Sequence, residues 1–173
     1  MRIKTTLISM SVVLILLYIT SCVTPKTTPI KIDFVTDACL VPQQDNKFKL
    51  CDNMIAHVDN QFQVVPRGFK TDLASIPRIM WPVFWPDDYD TIAAAVLHDW
   101  HYCCDSEISR QRADDIFYYS LLKNGSSRLK AYIYYVSVRR MGWLYFTGGA
   151  GIVDHEKEFE GGELQGNYDD ATN

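Results

Sequence analysis

The sequence has no apolar run long enough to cross a membrane. Its longest such run covers residues 7–19, whereas a transmembrane helix needs roughly 20 apolar residues. Arg2 and Lys4 precede this run, and two small residues, Thr20 and Ser21, follow it. This order of charged, apolar and small residues predicts a signal peptide over residues 1–21 rather than a membrane span.

Clusters of basic residues are also lacking. The chain of 173 residues has 17 Lys and Arg against 21 Asp and Glu, and its densest basic sites are the pairs Arg110/Arg112 and Arg139/Arg140. A surface that binds nucleic acid needs a patch or stripe of basic side chains, so we expect no nucleic acid partner. Residues 154–173 are acidic and poor in aliphatic residues, which predicts a solvated, disordered tail.

The cysteines do not have the spacing of a zinc site, since no C-x-x-C or H-x-x-x-H pattern is present. A signal peptide would direct the chain to an oxidising compartment, where disulfides are permitted. Cys39 and Cys51 bracket a short segment and could pair across it. The adjacent Cys103 and Cys104 are not expected to bond each other easily, and each could pair elsewhere. Four cysteines allow three connectivities.

The segment I-T-S-C at 19–22 resembles a bacterial lipobox, in which the cysteine becomes the lipidated first residue of the mature protein. The resemblance implies lipidation of Cys22, for example with palmitate, followed by a tether over residues 22–30. Residue 23 is Val rather than Asp. By the sorting rule of lipoproteins, this implies a lipid anchor at the periplasmic face of the bacterial outer membrane. An ordinary signal peptide that ends at a cysteine is the alternative.

Residues 31–153 are predicted to form one α+β domain. Short apolar runs alternate with turn residues over 47–65, which is typical of a small antiparallel β meander. An apolar connecting loop at 81–86 is predicted to pack on the core, or to cover a membrane or ligand surface. A three-helix bundle then follows, with neighbours packed antiparallel because the links are short. The helices are predicted over 89–104, from the N-cap Ser109 to Gly125, and from the N-cap Ser126 to near Gly142.

A histidine and a carboxylate are the candidate chemical groups of this bundle. His98 and Tyr102 lie one turn apart on the first helix. Asp114 is in register with Phe117 and Leu121 on the second helix, so it faces the core, where it needs a partner. Antiparallel packing can bring Asp114 to His98, as in sites where a carboxylate orients a general base. A purely structural pairing of the two helices is the alternative.

Two further carboxylates could join this site. Asp99 follows His98 directly, and Asp72 lies in the loop before the helices. Together they could offer oxygen ligands to a hard cation such as calcium. An Asx-turn in that loop is the structural alternative for Asp72.

The order of several motifs resembles domain-of-unknown-function family 1353, which is found largely in bacteriophages and prophages. The resemblance covers about residues 47–142 and implies a phage-type protein without an established activity. The motifs that carry it are F-Q-V-V-P at 62–66, G-F-K-T-D-L-A-S-I-P at 68–77, H-D-W-H-Y at 98–102 and R-A-D at 112–114.

A second, local resemblance concerns the helices. H-D-x-x-Y at 98–102, followed by D-D-x-F at 114–117, is similar to secreted phospholipases A2, especially the small prokaryotic kind. It implies that His98 activates a water molecule, that Asp99 binds calcium, and that Tyr102 with Asp114 or Asp115 orients the histidine. The cysteines that precede the histidine in the animal enzymes and a G-x-G calcium loop are absent.

Two functions follow from these patterns. The first is a membrane-anchored lipoprotein of phage or prophage type that acts at the host cell envelope, in an interaction or exclusion role, with an envelope protein as partner. The second is a calcium-dependent hydrolase of ester bonds that acts on phospholipid and uses the His-Asp pair.

Overall fold

The computed structural model describes residues 23–26, 28–44, 47–73, 89–105 and 107–149. The predicted signal peptide with Cys22, the apolar loop at 81–86 and the acidic tail at 154–173 lie outside the described residues. In the described part of the chain, no helix has the length and apolar character needed to cross a membrane.

Six short strands form two antiparallel sheets of three strands each, and three helices follow, so the predicted α+β class is confirmed. The strand order is β1-β4-β5 in one sheet and β2-β3-β6 in the other. The strands are β1 (Ile32–Phe34), β2 (Leu40–Pro42), β3 (Phe48–Leu50), β4 (Met54–Val58), β5 (Gln61–Val65) and β6 (Lys70–Thr71).

The β4–β5 hairpin follows from its local sequence. Met54, Ala56 and Val58 alternate with more exposed residues and face the core. The turn residues Asp59 and Asn60 have φ angles of 47° and 69°, which is the left-handed conformation that a two-residue hairpin turn requires and that Asp and Asn tolerate.

The predicted meander differs from the structure in its pairing. The consecutive strands β3 and β4 belong to different sheets, and β3 pairs with β2 and β6 instead. Strands of two or three residues are too short to show a period of two in the sequence, which is why β1, β2 and β6 were not predicted.

The helices are α1 (Tyr89–Cys103), α2 (Arg110–Lys123) and α3 (Arg128–Met141), with a 3-10 turn (Gly142–Leu144) after α3. The side chain of Ser109 accepts a hydrogen bond from the backbone N–H of Arg112, so the predicted N-cap of the second helix is confirmed.

The predicted N-cap of the third helix is wrong by one residue. Ser127 is the cap, because its hydroxyl accepts from the backbone N–H of Lys130. Ser126 instead closes the preceding helix, since its N–H bonds the carbonyl of Leu121 while Gly125, at φ 99°, turns the chain. This is the Schellman arrangement that ends many helices.

Two disulfide bonds are present in the described residues. One joins Cys39 to Cys51 and links the start of β2 to the end of β3. The other joins Cys103 to Cys104, so the prediction that these neighbours would not bond each other is wrong. The bond forms where α1 ends, because Cys104 lies in a turn and not in the helix.

The helices pack antiparallel, which defines two ends of the bundle. Asp114 of α2 contacts Arg139 of α3, and further along α2 Phe117 contacts Tyr134, which comes earlier in α3. The two helices therefore run in opposite directions. The end of α1, the start of α2 and the end of α3 therefore lie together, and we call this the cavity end. The link between α2 and α3, residues 124–127, lies at the opposite end, which we call the turn end.

Candidate functional site

Asp114 is the centre of a buried network at the cavity end. Its Oδ1 lies 3.0 Å from Nε2 of His98 and accepts a hydrogen bond of 2.5 Å from the hydroxyl of Tyr102. Its Oδ2 accepts a bond of 2.7 Å from Arg139 and lies 3.8 Å from Nη1 of Arg110. The structure thus brings together His98, Tyr102 and Asp114, which the sequence singled out.

The protonation states in this network follow from its contacts. Burial raises the pKa of Asp114, but the hydrogen bonds from His98, Tyr102 and Arg139 outweigh it, so the pKa lies below its usual value. Burial and the negative charge of Asp114 raise the pKa of Tyr102. Asp114 is therefore an ionised acceptor, and Tyr102 a protonated donor, at neutral pH.

His98 is held in one orientation. Its ring lies between those of Tyr102 and Phe117, with centroids at 4.1 Å and 4.7 Å. Since Nε2 faces Asp114, Nδ1 is the ring nitrogen that does not meet this carboxylate. A histidine that donates from Nε2 to a carboxylate carries its lone pair on Nδ1.

His98 borders a cavity of about 230 Å³. Asp99, Tyr102 and Cys103 of α1 line it together with Asp72, and Met141 of α3 lines its apolar part. The volume is sufficient for a small ligand or for part of a larger one. A histidine held by a carboxylate thus meets a cavity in which a substrate could lie.

Asp99 and Asp72 lie on the same cavity. The hydroxyl of Thr71 donates a 2.5 Å hydrogen bond to Oδ2 of Asp99 and accepts one from the backbone N–H of Leu73. Burial and the negative charge of Asp72 raise the pKa of Asp99 to about 6, although His98 and Thr71 act in the opposite direction. The two carboxylates therefore repel each other at neutral pH.

Asp99, Asp72 and Thr71 have side-chain oxygen atoms, which are the donor atoms that a hard cation prefers. Calcium prefers oxygen ligands and takes six to eight of them, and two carboxylates with the Thr71 hydroxyl nearby supply part of that set. Among the described residues, no group of three or more His, Cys, Asp or Glu side chains could hold a metal ion. Asp99 and Asp72 would therefore need water or further chain atoms to complete a calcium ligand set.

Other candidate residues have structural roles. Asp115, which the phospholipase resemblance allowed in place of Asp114, does not contact His98, and its Oδ1 accepts from the hydroxyl of Tyr135 at 3.1 Å. His101 is fully buried, and burial, helped by electrostatic interaction with His98 and Arg112, lowers its pKa to about 3. It is therefore neutral at physiological pH.

Sequence reasoning missed three residues of the site. Arg110 is four residues before Asp114 on α2, a spacing that could have revealed the contact. Arg139 comes from another helix, and no local pattern indicates it. Gly142 lies against Tyr102, where a Cβ atom would be 2.2 Å from the hydroxyl oxygen.

Substitution of Gly142 tests this close approach. Gly142 has an ordinary helical φ of −62°, so only space requires glycine there. We expect Gly142→Ala to displace Tyr102 from Asp114 and to lower the free energy of unfolding by about 1–3 kcal/mol, measured by urea denaturation. Tyr102→Phe removes the nearest clashing atom and leaves the ring carbons Cε1 and Cζ at 2.9 Å, so the double variant should cost less than the sum of the two single variants. Additive losses would contradict this contact.

The fold and the site define a small α+β domain with a carboxylate-held histidine on a cavity. The family model described as "Protein of unknown function (DUF1353)" matches residues 48–138. The chain belongs to this family, as its motifs predicted. The matched region includes His98, Asp99, Tyr102 and Asp114.

One curated relative is "Uncharacterized protein y4iH" of Sinorhizobium fredii (strain NBRC 101917 / NGR234). It is 36% identical over 86 residues, which cover 46% of this chain and 34% of that protein. The chain therefore matches about a third of the relative's length. No solved structure matches the chain.

Proposed function

We propose that this protein is a hydrolase of ester bonds, of the phospholipase A2 type, with His98 as general base. The distance of 3.0 Å between Nε2 of His98 and Oδ1 of Asp114 carries this proposal. It leaves Nδ1 of a buried, oriented histidine free of the carboxylate, and His98 borders the cavity. The sequence similarity of 98–102 and 114–117 to those enzymes supports the same assignment.

Proton transfer to Nδ1 is the central step. His98 takes a proton from a water molecule in the cavity while the water oxygen bonds to the ester carbonyl carbon. The bond between that carbon and the leaving oxygen then breaks, and the imidazolium returns the proton to the leaving alcohol. Asp114 stabilises the imidazolium that forms, while Tyr102 and Arg139 position Asp114. The products are a carboxylic acid and an alcohol.

Asp99 and Asp72 would hold a calcium ion in this reaction. A bound calcium ion would supply positive charge where the ester oxygen becomes negative. Asp99 must be ionised for this role, and its pKa of about 6 places that state above mildly acidic pH. The donor type of both side chains favours calcium over softer metals.

Release of fatty acid tests the proposed activity. The folded protein is given monomeric short-chain phosphatidylcholine and, separately, phospholipid vesicles, each with calcium or with a chelator. We expect release that depends on calcium. Absence of release from both substrates, with native folding verified by circular dichroism, would refute the hydrolase.

The pKa of Asp99 predicts a pH dependence of stability. Its value in the folded protein, about 6, lies above the ordinary 3.8, so the folded protein binds more protons than the unfolded chain between these values. The contribution of Asp99 to the free energy of unfolding should therefore fall as the pH rises from about 4 to 6, by up to about 3 kcal/mol. Urea denaturation across this pH range measures the fall, and Asp99→Asn should abolish it.

Calcium should offset this loss where Asp99 is ionised. At a tenfold excess over its Kd, calcium should add about 1.4 kcal/mol to the free energy of unfolding at neutral pH, but much less at about pH 5, where Asp99 is protonated. An equal calcium response at both pH values, or its survival in Asp99→Asn, would contradict a site at Asp99.

We also propose a second function, as a phage-type lipoprotein that acts at the cell envelope of the bacterial host. The lipobox-like segment that ends at Cys22 supports it. The lipid anchor would hold the protein at the periplasmic face of the outer membrane, where an envelope protein would be its partner.

Substitution of Cys22 tests the anchor. We expect Cys22→Ser to lose lipid labelling and to leave the membrane fraction, because a thiol is needed for the thioether to the lipid. Expression of the native chain should change the plating of phages on the host, and Cys22→Ser should not. A variant that stays labelled and membrane-bound would refute the anchor, and unaltered plating across a broad phage panel would count against the envelope role.

A further inference from the structure

The segment 23–26 lies against α2 and α3, and we call it the strap. Three tyrosine hydroxyls donate to its backbone carbonyl groups. Tyr132 bonds the oxygen of Val23 at 2.9 Å, Tyr135 bonds that of Thr24 at 3.1 Å, and Tyr119 bonds that of Lys26 at 2.6 Å. Each bond reaches a backbone group, so the contacts hold the strap by its chain path rather than by its side chains.

A carboxylate completes this binding surface. Oδ1 of Asp115 accepts a long hydrogen bond, 3.4 Å, from the backbone N–H of Lys26 and also contacts the Tyr135 hydroxyl. Asp115 is fully buried, and a buried carboxylate needs such donors. The strap therefore supplies part of what stabilises Asp115, although its positions belong to the segment predicted to be a tether.

The strap fixes where the preceding chain meets the domain. Val23 contacts Tyr132, near the start of α3, whereas Met141, at the end of α3, lines the cavity. With a rise of about 1.5 Å per residue, these two positions are about 14 Å apart along the helix. Val23 thus lies toward the turn end and away from the cavity end.

The α2–α3 link and its flanks are basic in sequence, although α1 begins at the same end with Tyr89 and Asp90. No acidic residue occurs between positions 116 and 138, while Lys123, Arg128 and Lys130 occur there. Lys123 pairs with Asp33, and Leu129, with 69% of its surface exposed, lies between the two other basic residues. Basic side chains around an exposed apolar residue complement the headgroups of anionic lipids.

We propose that the strap orients the domain on the membrane, with the turn end against anionic headgroups and the cavity end directed away from that bilayer. The proposal rests on the lipid anchor proposed for Cys22, which is one residue from Val23. The orientation also restricts the substrate of the proposed hydrolase. The ester reaches His98 from the aqueous side, either as a dispersed molecule or from an opposing surface. It does not come from the bilayer that holds the anchor.

Limited trypsin cleavage tests the strap independently of any lipid. Because the backbone of Lys26 is bonded to Asp115 and Tyr119, we expect trypsin to cut after Lys26 only when the strap leaves α2 and α3. In the triple variant Tyr119→Phe/Tyr132→Phe/Tyr135→Phe we expect this cut to be about tenfold or more faster, because the three hydrogen bonds to the strap are lost, together with the bond from Tyr135 to Asp115, and the ring packing is kept. Cleavage after Lys31, whose N–H bonds Asp59, is the internal control. Equal rates after Lys26 would refute the strap.

Two matched positions test the orientation in the lipidated full chain. Leu129 and Trp143 are 69% and 66% exposed and lie at opposite ends of α3. Each is replaced by cysteine, labelled with a fluorophore, and reconstituted in anionic vesicles with headgroup spin-labelled lipid. We expect the spin label to quench the Leu129→Cys label several-fold more than the Trp143→Cys label. The three Tyr→Phe changes should reduce that difference.

The outcomes separate the two proposals. Equal or reversed quenching in membrane-bound protein would overturn the orientation and leave the anchor intact. If the protein does not bind the vesicles and both labels stay unquenched, the anchor is refuted, and the orientation with it. The rate of cleavage after Lys26 still tests the strap in that case. Hydrolysis of the monomeric substrate tests the role of His98 and does not depend on the anchor or the orientation.

Discussion

Replacement of Asp114 by alanine is expected to lower the free energy of unfolding by about 3–5 kcal/mol, because it breaks a buried ion pair from one side. Arg139 loses its carboxylate partner at 2.7 Å, and His98 and Tyr102 lose the acceptor that they share. The cost of leaving buried donors unpaired adds to the lost attraction. Urea denaturation at neutral pH measures the change.

Asp115 offers a matched control for this experiment. It is the next residue of α2 and is also fully buried, but its Oδ2 has no hydrogen-bond partner in the described part of the chain. For the matched pair, both aspartates are replaced by Asn. Asp114→Asn removes the charge that pairs with Arg139 and turns one of two accepting oxygens into a donor. Asp115→Asn changes an oxygen that accepts nothing, so it should cost clearly less. Equal losses for both variants would contradict the assignment of Asp114 as the centre of the network.

Replacement of His98 is expected to have the largest effect on activity. A general base contributes about 10²- to 10⁴-fold to the rate, and His98→Ala should lower kcat for short-chain phosphatidylcholine by that factor while KM changes little. The reason is that His98 acts on the attacking water, whereas the rest of the cavity remains to bind substrate. Initial rates of fatty acid release measure both constants.

His57 provides the comparison for that loss. It lies on β4 with its ring 4.2 Å from that of Phe62, and it is not among the residues that line the cavity. His57→Ala should therefore keep the native rate. His98→Gln separates packing from chemistry, because an amide can still donate to Asp114 but cannot accept the proton. Release that persists in both His98 variants would remove this residue from the mechanism.

The candidate site was largely predictable because most of its residues lie on two neighbouring helices. His98 and Tyr102 are four residues apart, and Asp114 shares a face with Phe117, so helical periodicity alone puts them toward a common core. The short link between α1 and α2 then requires an antiparallel arrangement. The metal candidates Asp72 and Asp99 were predicted from chemistry alone, and the structure adds that they line one cavity.

The two sheets were less predictable, because most of their strands are very short. The hairpin β4–β5 has five-residue strands and a two-residue turn, both visible as local patterns. The pairing of β3 with β6 joins Phe48 to Thr71 through two- and three-residue strands. Such short strands carry too little alternation to be recognised, so only their partners define them.

The features that depend on neighbours within about one helical turn or one hairpin follow from the order of the residues alone. These include the cap at Ser109, the faces of α1 and α2 and the hairpin at Asp59, because the interacting groups are close in the chain and their geometry is set by backbone dihedral angles. Two other contacts became visible only in the folded chain: Arg139 pairs with Asp114 across 25 positions, and Tyr135 bonds Thr24 across 111. Those contacts depend on how whole elements pack, and no local pattern encodes that packing.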